Sequence, residues 1–359
     1  MSRARALVSN LVSSSREAGT LQASLARLAV ARFLVELGYS VEEQPFTFNA
    51  GVYRALPVAG ATLAALSLIE LPLLLRPAPA WGALVMLLSL AAALGIVSSR
   101  IVRGDGPPPG QQRDDANIIA RRAGASIRCW LIAHLDTKAQ AQSMAGRLVA
   151  LWVTVVTVSG LVALVIVRLG GPLRAGPVVA VVAGCCLAGL LVSRGRLTGS
   201  SPGARDNGSG LLAVLTAAEL ATDSSIGIII TAAEEFGLVG ARALARERPG
   251  LFSQASVLNV DTVDDEGTLF VVTHDRGSAA LAGRVRARLA GLAPRCTQRR
   301  LPLGIMVDSL PLAPVALEAA TVGRVTWGTL RLVHTARDHA DGHRLATAER
   351  LGERLAFPI

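Results

Sequence analysis

The chain has 359 residues, of which 51 % are hydrophobic and only 17 % charged, and its mean hydropathy is +0.47; a typical soluble chain carries about 25 % charge. Disorder is excluded by the abundance of apolar residues, and complete immersion in lipid by the charged, Gly- and Pro-punctuated stretches. The 36 basic residues against 26 acidic ones give a formal net charge of +10, but the arginines are scattered and aromatics are only 4 %, so no nucleic-acid partner is expected.

Residues 1–40 hold Arg3, Arg5, Arg16, Arg27 and Arg32 with no sustained apolar core, which argues against a signal peptide. Residues 16–37 have helical periodicity through Leu21, Leu25, Leu28, Ala29, Phe33 and Leu34, with Gly38 as the stop. Val41–Phe48 reads as a strand. Two pairs of apolar runs follow. The first pair is Ala55–Leu75 and Trp81–Ser99, split by a loop that begins at Arg76; the second is Leu148–Val167 and Pro177–Ser193, split by residues 168–174. A helix needs about 20 apolar residues, and at least ~17, to cross ~30 Å of hydrocarbon. The first three runs meet that length and the fourth is marginal, so two transmembrane hairpins are expected. Glu70 lies inside the first run beside Pro72, where an ionisable group is costly; no role is assigned to it.

Orientation follows from the basic residues flanking the runs. Arg54, Arg100, Arg103, Lys138, Arg147, Arg194 and Arg196 stand on one side, against Arg76, Arg168 and Arg174 in the two connecting loops. The termini and the middle segment are therefore expected in the cytoplasm of a cell inner or plasma membrane. Cys185 and Cys186 are adjacent in an apolar run, and Cys129 and Cys296 stand alone, which is neither a disulfide framework nor a zinc knuckle and fits a reducing compartment.

The hairpins leave segments 1–54, 100–147 and 194–359, with 55–99 and 148–193 as the membrane pieces. Asn117–Ala120 and Ile127–His134 read as strands, Leu211–Leu220 as an apolar helix after a Gly-rich turn, and Ile226–Ala232 and Ala255–Val260 as short buried strands. The expected fold is α/β: a mixed, mostly parallel sheet with helices on both faces and its site at the carboxyl edge.

The strand ends carry the chemistry. In order they are His134 and Asp136, Asp206 and Asn207, Glu234 and Glu235, Asn259 and Asp261, then His334 and Asp338. Imidazole and carboxylate are zinc ligands when thiolate is absent. Two histidines and three carboxylates suffice for two metal ions if one carboxylate bridges, and such a pair polarises a carbonyl and activates water. A further carboxylate off the metals would take the proton, and the Glu234–Glu235 pair can supply one ligand and one base.

This ordered set resembles the co-catalytic zinc aminopeptidases of the bacterial leucyl aminopeptidase and aminopeptidase Y type, metallopeptidase family twenty-eight. The similarity runs through SREAGT at 15–20, RFLVELGYSVEEQPF at 32–46, NIIA at 117–120, AHLDTK at 133–138, PGARDNGSG at 202–210, EEFGLVGAR at 234–242, NVD at 259–261 and VHTARD at 333–338. It covers none of the apolar runs. The resemblance implies that His134 and Asp261 bind one zinc, that Glu235 and His334 bind the other, and that Asp206 bridges. It implies Glu234 as general base and Asp136 as the hydrogen-bond partner that fixes the tautomer of His134. Cobalt or manganese can occupy such sites in place of zinc. His334 is chosen over the nearby His339 and His343 because it begins the His-Thr-x-x-Asp pattern, and His274 is expected at the surface. Asp308-Ser309 loosely resembles a Ser/Thr-Asp pair of the family.

The resemblance thus implies a membrane-anchored, zinc-dependent aminopeptidase acting on peptides and contacting the bilayer through four helices. A carboxypeptidase, an amidohydrolase or a glutaminyl-cyclase-like enzyme on the same fold, a silent receptor or scaffold, and a transporter are the alternatives. Chain length between Asp136 and the second hairpin puts the metal centre within roughly 40 Å of the bilayer surface, with a membrane-proximal cleft as the expectation.

Overall fold

In the computed structural model, which describes residues 1–76, 81–103, 112–340 and 345–357, the chain divides into two units, each discontinuous in sequence. One comprises Met1–Phe48, Gln112–Ala139 and Gly199–Ile359; the other comprises Asn49–Gln111 and Gln140–Thr198. The elements, in chain order, are α1 (Arg3–Leu11), α2 (Leu21–Glu36), β1 (Tyr39–Asn49), α3 (Ala55–Leu75), α4 (Trp81–Arg103), β2 (Gln112–Arg122), β3 (Cys129–His134), α5 (Met144–Gly170) and α6 (Ala175–Ser193). There follow α7 (Gly210–Leu220), β4 (Ile226–Thr231), α8 (Val239–Glu247), β5 (Ser256–Val263), β6 (Thr268–Thr273), α9 (Ala279–Arg288), β7 (Cys296–Arg299), α10 (Ser309–Leu312), β8 (Glu318–Val325), α11 (Trp327–Leu330) and α12 (Ala346–Leu355).

The first unit is built on an eight-stranded mixed sheet of order β1-β2-β4-β3-β5-β8-β6-β7. Its centre is parallel: β3 pairs with β4 and with β5, and β5 with β8. Antiparallel β2 and β6 flank that centre. Because side chains alternate along a strand, β3 can be apolar throughout Cys129–Ala133 only if both faces are covered. Leu131 and Ala133 join one buried cluster with Ile228, Leu258, Leu212 and Leu215, while Trp130 and Ile132 join another with Ile229, Val257, Leu244 and Phe252. Helix α7 lies in the first cluster and α8 in the second, so helices cover both faces.

Helix α2 begins five residues later than the periodicity predicts. Thr20 is its N-cap, accepting from Ala23 N at 3.3 Å, and Gly38 past its end takes φ +84°. Residues 16–19 leave the helix because Arg16 is drawn inward: its guanidinium donates to the carbonyls of Leu135, Leu11, Pro202 and Gly203. Helix α1 and strands β6, β7 and β8 are additions that patterning had not singled out.

The second unit holds α3 to α6. Among the described residues three helices are long and apolar enough to cross a membrane: α3, α5 and α6. The run that was marginal by count extends to 19 residues as α6, and the run Trp81–Ser99 lies within α4 (Trp81–Arg103), whose stretch Trp81–Ala93 is apolar. Leu63, Leu74, Leu87, Leu161 and Val165 form the interior, yet Val58, Val85, Leu88, Val156 and Leu190 are exposed, an apolar exterior unlike that of a soluble bundle. Helices α3 and α6 meet backbone to backbone: a Cβ on Gly60 would lie 2.2 Å from the Gly189 carbonyl oxygen, and one on Gly189 2.4 Å from that of Gly60. Small residues at a crossing permit this approach. Glu70 is fully buried in this unit.

Candidate metal centre

The carboxyl ends of the parallel strands converge on one cluster. His134 is the last residue of β3, Asp261 stands near the end of β5, and Glu234 and Glu235 form a short helical turn just after β4. Asp206 lies in the kinked turn before α7, joined to Asn207 by a cis peptide bond. His334 follows α11. Two groups of ligand atoms result, each lying within 4.8 Å of one another: His134, Glu234 and Asp261 in one, Asp206, Glu235 and His334 in the other. Asp206 stands between them. Its Oδ1 is 3.1 Å from His134 Nε2 and its Oδ2 is 3.2 Å from His334 Nε2. Asp261 Oδ1 lies 3.8 Å from His134 Nε2, and Glu235 Oε1 lies 3.2 Å from His334 Nε2.

A hydrogen-bonded frame holds these side chains. His134 Nδ1 lies 3.1 Å from the backbone oxygen of Asp136. A carbonyl only accepts, so Nδ1 carries the hydrogen, and in the neutral ring the lone pair sits on Nε2, the atom facing the carboxylates. The Asp136 carboxylate has a different task from the one its spacing suggests. Its Oδ1 is 3.7 Å from His134 Nδ1, too far for a hydrogen bond, whereas Oδ1 and Oδ2 accept from the backbone N–H groups of Glu234 and Glu235, each at 3.1 Å. Asp338, the last residue of the VHTARD stretch, accepts from Arg205 N at 3.0 Å and Asp206 N at 3.2 Å and so carries the turn of the bridging aspartate. Asn207 ties that turn to β5: it donates to Val260 O at 2.9 Å and accepts from Thr262 N at 3.2 Å. Gly203, at φ +59°, brings the chain so close to Thr137 that a Cβ would fall 2.3 Å from its methyl group.

Among the described residues four non-glycine positions have positive φ: Ala233, Leu238, Thr262 and His334. One is His334 itself, and two are neighbours of Glu234 and Asp261. Left-handed backbone is costly for such residues and concentrates where surrounding structure imposes a functional geometry.

The electrostatics suit cations. His134 and His334 are almost wholly buried, yet Asp206 and Asp261 keep side-chain exposures of 11 % and 12 %, so the cluster opens to solvent on their side. Burial disfavours a charged His134 ring, but Glu234, Asp136, Asp206 and Asp261 together hold its pKa well above the ordinary value. Burial, reinforced by Glu235, Asp308 and Asp261, pushes Glu234 well up. Asp206 is held well below the carboxylate range by the two histidines, against its burial. Glu235 is likewise held low, against burial, by His334 and Lys138. His134 Nε2 is buried without a hydrogen-bond partner and faces carboxylate oxygens; a divalent cation among them would take the place of the ring's second proton, and imidazole with carboxylates matches the donor set of a zinc site.

Several residues of the cluster carried no assignment from sequence. Lys138 is buried with Nζ 2.7 Å from Glu235 Oε2; its place in AHLDTK, two residues past Asp136, was the available signal. Asp308 is buried beside Thr231, and burial pushes its carboxyl up to about 7. Arg16 is buried and spans the β3 end and the turn at 202–203. His274, expected at the surface, is half-buried with Nε2 2.7 Å from Ser309 Oγ. The backbone oxygen of His339 accepts from Arg205, while His343 lies outside the described residues.

Known proteins resemble the chain in sequence pattern and in fold. The sequence pattern described as "Peptidase family M28" matches residues 187–357, a stretch that includes Asp206, Glu234, Glu235, Asp261 and His334. No curated protein matches the chain. Among solved structures, a leucine aminopeptidase precursor from Bacteroides thetaiotaomicron is 16 % identical with TM-score 0.57, covering 98 % of this chain and 94 % of that one. A Zn-dependent exopeptidase from Parabacteroides distasonis (15 %, TM-score 0.57) and a glutaminyl cyclase from Porphyromonas gingivalis (15 %, TM-score 0.57) each cover 98 % of this chain and 95 % of their own. The chain therefore has the fold shared by zinc-dependent aminopeptidases and glutaminyl cyclases.

Proposed function

We propose that the chain is a zinc-dependent aminopeptidase, held in a membrane by its apolar helices, that hydrolyses the N-terminal residue from peptides. The observation that carries the reading is the pair of Asp206 oxygens, one facing His134 and the other facing His334 at almost equal distances. A carboxylate so divided suits two cations, His134 and Asp261 holding one and Glu235 and His334 the other. Bound zinc ions supply Lewis acidity toward a carbonyl oxygen and lower the pKa of water. Glu234, whose carboxylate lies among the ligand atoms of His134 and Asp261, would accept a proton from the attacking water and return it to the departing amine. Asp136 holds the Glu234–Glu235 turn in place from behind through its two backbone hydrogen bonds. The basic residues flanking the helices favour a cytoplasmic peptidase unit.

Intramolecular cyclisation of an N-terminal glutaminyl residue is the second reading, supported by the cyclases among the structural relatives. The test is elemental analysis of detergent-purified protein together with turnover of aminoacyl-p-nitroanilides and glutaminyl peptides. The expected result is about two zinc ions per chain and release of nitroaniline, with Glu234→Gln losing turnover while keeping zinc. Zinc with cyclisation alone would favour the second reading, and absence of zinc would refute both.

A further inference from the structure

The chain passes between the two units four times: after Phe48, before Gln112, after Ala139 and before Gly199. All four points lie at the carboxyl edge of the sheet. Strand β4 runs parallel to β3, which ends at His134. Strand β2 runs antiparallel to β4 with Ile118 opposite Ile230, so its first residue, Gln112, projects past the end of β4. Strand β1 runs against β2 in turn. Asn117 Nδ2 donates to Gln44 Oε1 and Thr47 Oγ1 donates to Asp114 Oδ1, so the last residues of β1 lie beside the first of β2. Ala139 is five residues past His134, and Gly199 is seven residues before Asp206.

The candidate metal centre sits on that same edge. Its connection to the apolar helices is short and held in place. Arg16 N donates to Thr137 Oγ1 at 2.9 Å, and Gly203 passes Thr137 closely enough to exclude a Cβ. Further along, Gln140 bridges to Leu197 and Ala141 N donates to Arg196 O at 3.1 Å, which pairs the segment entering α5 with the one leaving α6. Met144, where α5 begins, is ten residues past His134, and ten extended residues reach roughly 36 Å at most. A peptide dissolved in bulk water and one anchored in the same bilayer are therefore not equivalent for this site. The anchored one is confined to a layer roughly 40 Å thick, which raises its effective concentration at the metal centre.

We infer that the substrates of this site are peptides anchored in the same bilayer by an apolar group, with a free N-terminus standing close to the membrane surface. This rests on the aminopeptidase reading above. It also sets where trimming stops. A remaining stretch too short to bridge from the bilayer to the metal centre is no longer cut, and that span corresponds to at most about a dozen extended residues.

The experiment uses the full-length, zinc-loaded protein reconstituted in phosphatidylcholine vesicles. It is given one hydrophilic peptide, long enough to exceed that reach about twofold, in two forms: free, and joined at its C-terminus to a dioleoyl phospholipid. Amino-acid release gives the rate, and mass spectrometry gives the length of the stub left after exhaustive digestion. At equal total concentration the anchored form should be trimmed about tenfold faster or more. That advantage should vanish when protein and anchored peptide occupy separate vesicles, and the final stub should hold about a dozen residues or fewer. Equal rates for the two forms, an advantage that survives separation, or a longer final stub would each overturn the assignment of anchored substrates while leaving the aminopeptidase reading standing. Release from neither form would overturn the aminopeptidase reading itself.

Discussion

Asp136→Asn separates two roles for a buried carboxylate. In the structure its oxygens accept from the Glu234 and Glu235 N–H groups at 3.1 Å each, while the nearer oxygen is 3.7 Å from the His134 ring. Asparagine is nearly isosteric, but one accepting oxygen becomes an N–H donor that faces another N–H. One charge-assisted hydrogen bond is lost, about 1.5–3 kcal/mol, and a buried N–H is left unsatisfied, about 1–3 kcal/mol more. The turn carrying both glutamates should thus lose about 2.5–6 kcal/mol of local stability. The His134 contact to the backbone oxygen of residue 136 is untouched by the exchange. Hydrogen–deuterium exchange, followed by mass spectrometry of peptides covering 231–238 and 129–136, reads the difference. The first peptide should exchange ~100-fold faster or more, since each 1.36 kcal/mol is a factor of ten; the second should change little. Unchanged protection at 231–238 with loosening only around His134 would refute the reasoning and return the carboxylate to the histidine.

Two further predictions test burial and packing. Burial raises the Asp308 carboxyl from 3.8 to about 7, so the folded state holds a proton the unfolded state releases; the associated stability is complete below pH ~4 and lost as pH rises through ~7. At pH 8 that loss is up to ~4 kcal/mol, so Asp308→Asn, which does not titrate, should gain stability relative to wild type between pH 5 and pH 8 in chelator-treated protein; thermal melts that stay parallel across this range would contradict it. In the helical unit, Gly189→Leu sets a side chain where a Cβ already lies 2.4 Å from the Gly60 carbonyl oxygen, whereas a Cβ on Gly176 of the same helix meets nothing within 4 Å. Overpacking costs about 1–3 kcal/mol, so Gly189→Leu should lower the melting temperature in detergent and Gly176→Leu should not; equal effects would refute the close crossing.

Much of this protein is determined locally. The uninterrupted apolar run at Cys129–Ala133 demands a strand covered on both faces, because alternation would otherwise expose every second side chain. The runs that become α3, α5 and α6 declare themselves by length and apolarity alone. The ionisable residues at strand ends likewise stand out in sequence, because a buried sheet leaves few other places for them. Contacts between distant residues are a different matter. Arg16 ends up donating to carbonyls at 135, 202 and 203, which shifts the start of α2. Asp136 sits two residues from His134, yet its carboxylate serves backbone about a hundred residues away. Lys138 reads as one more flanking cation until the fold buries it against Glu235. Side-chain spacing along one strand reports only which face a residue occupies. Which oxygen meets which nitrogen depends on neighbouring strands and turns, and those are set by burial of the whole sheet.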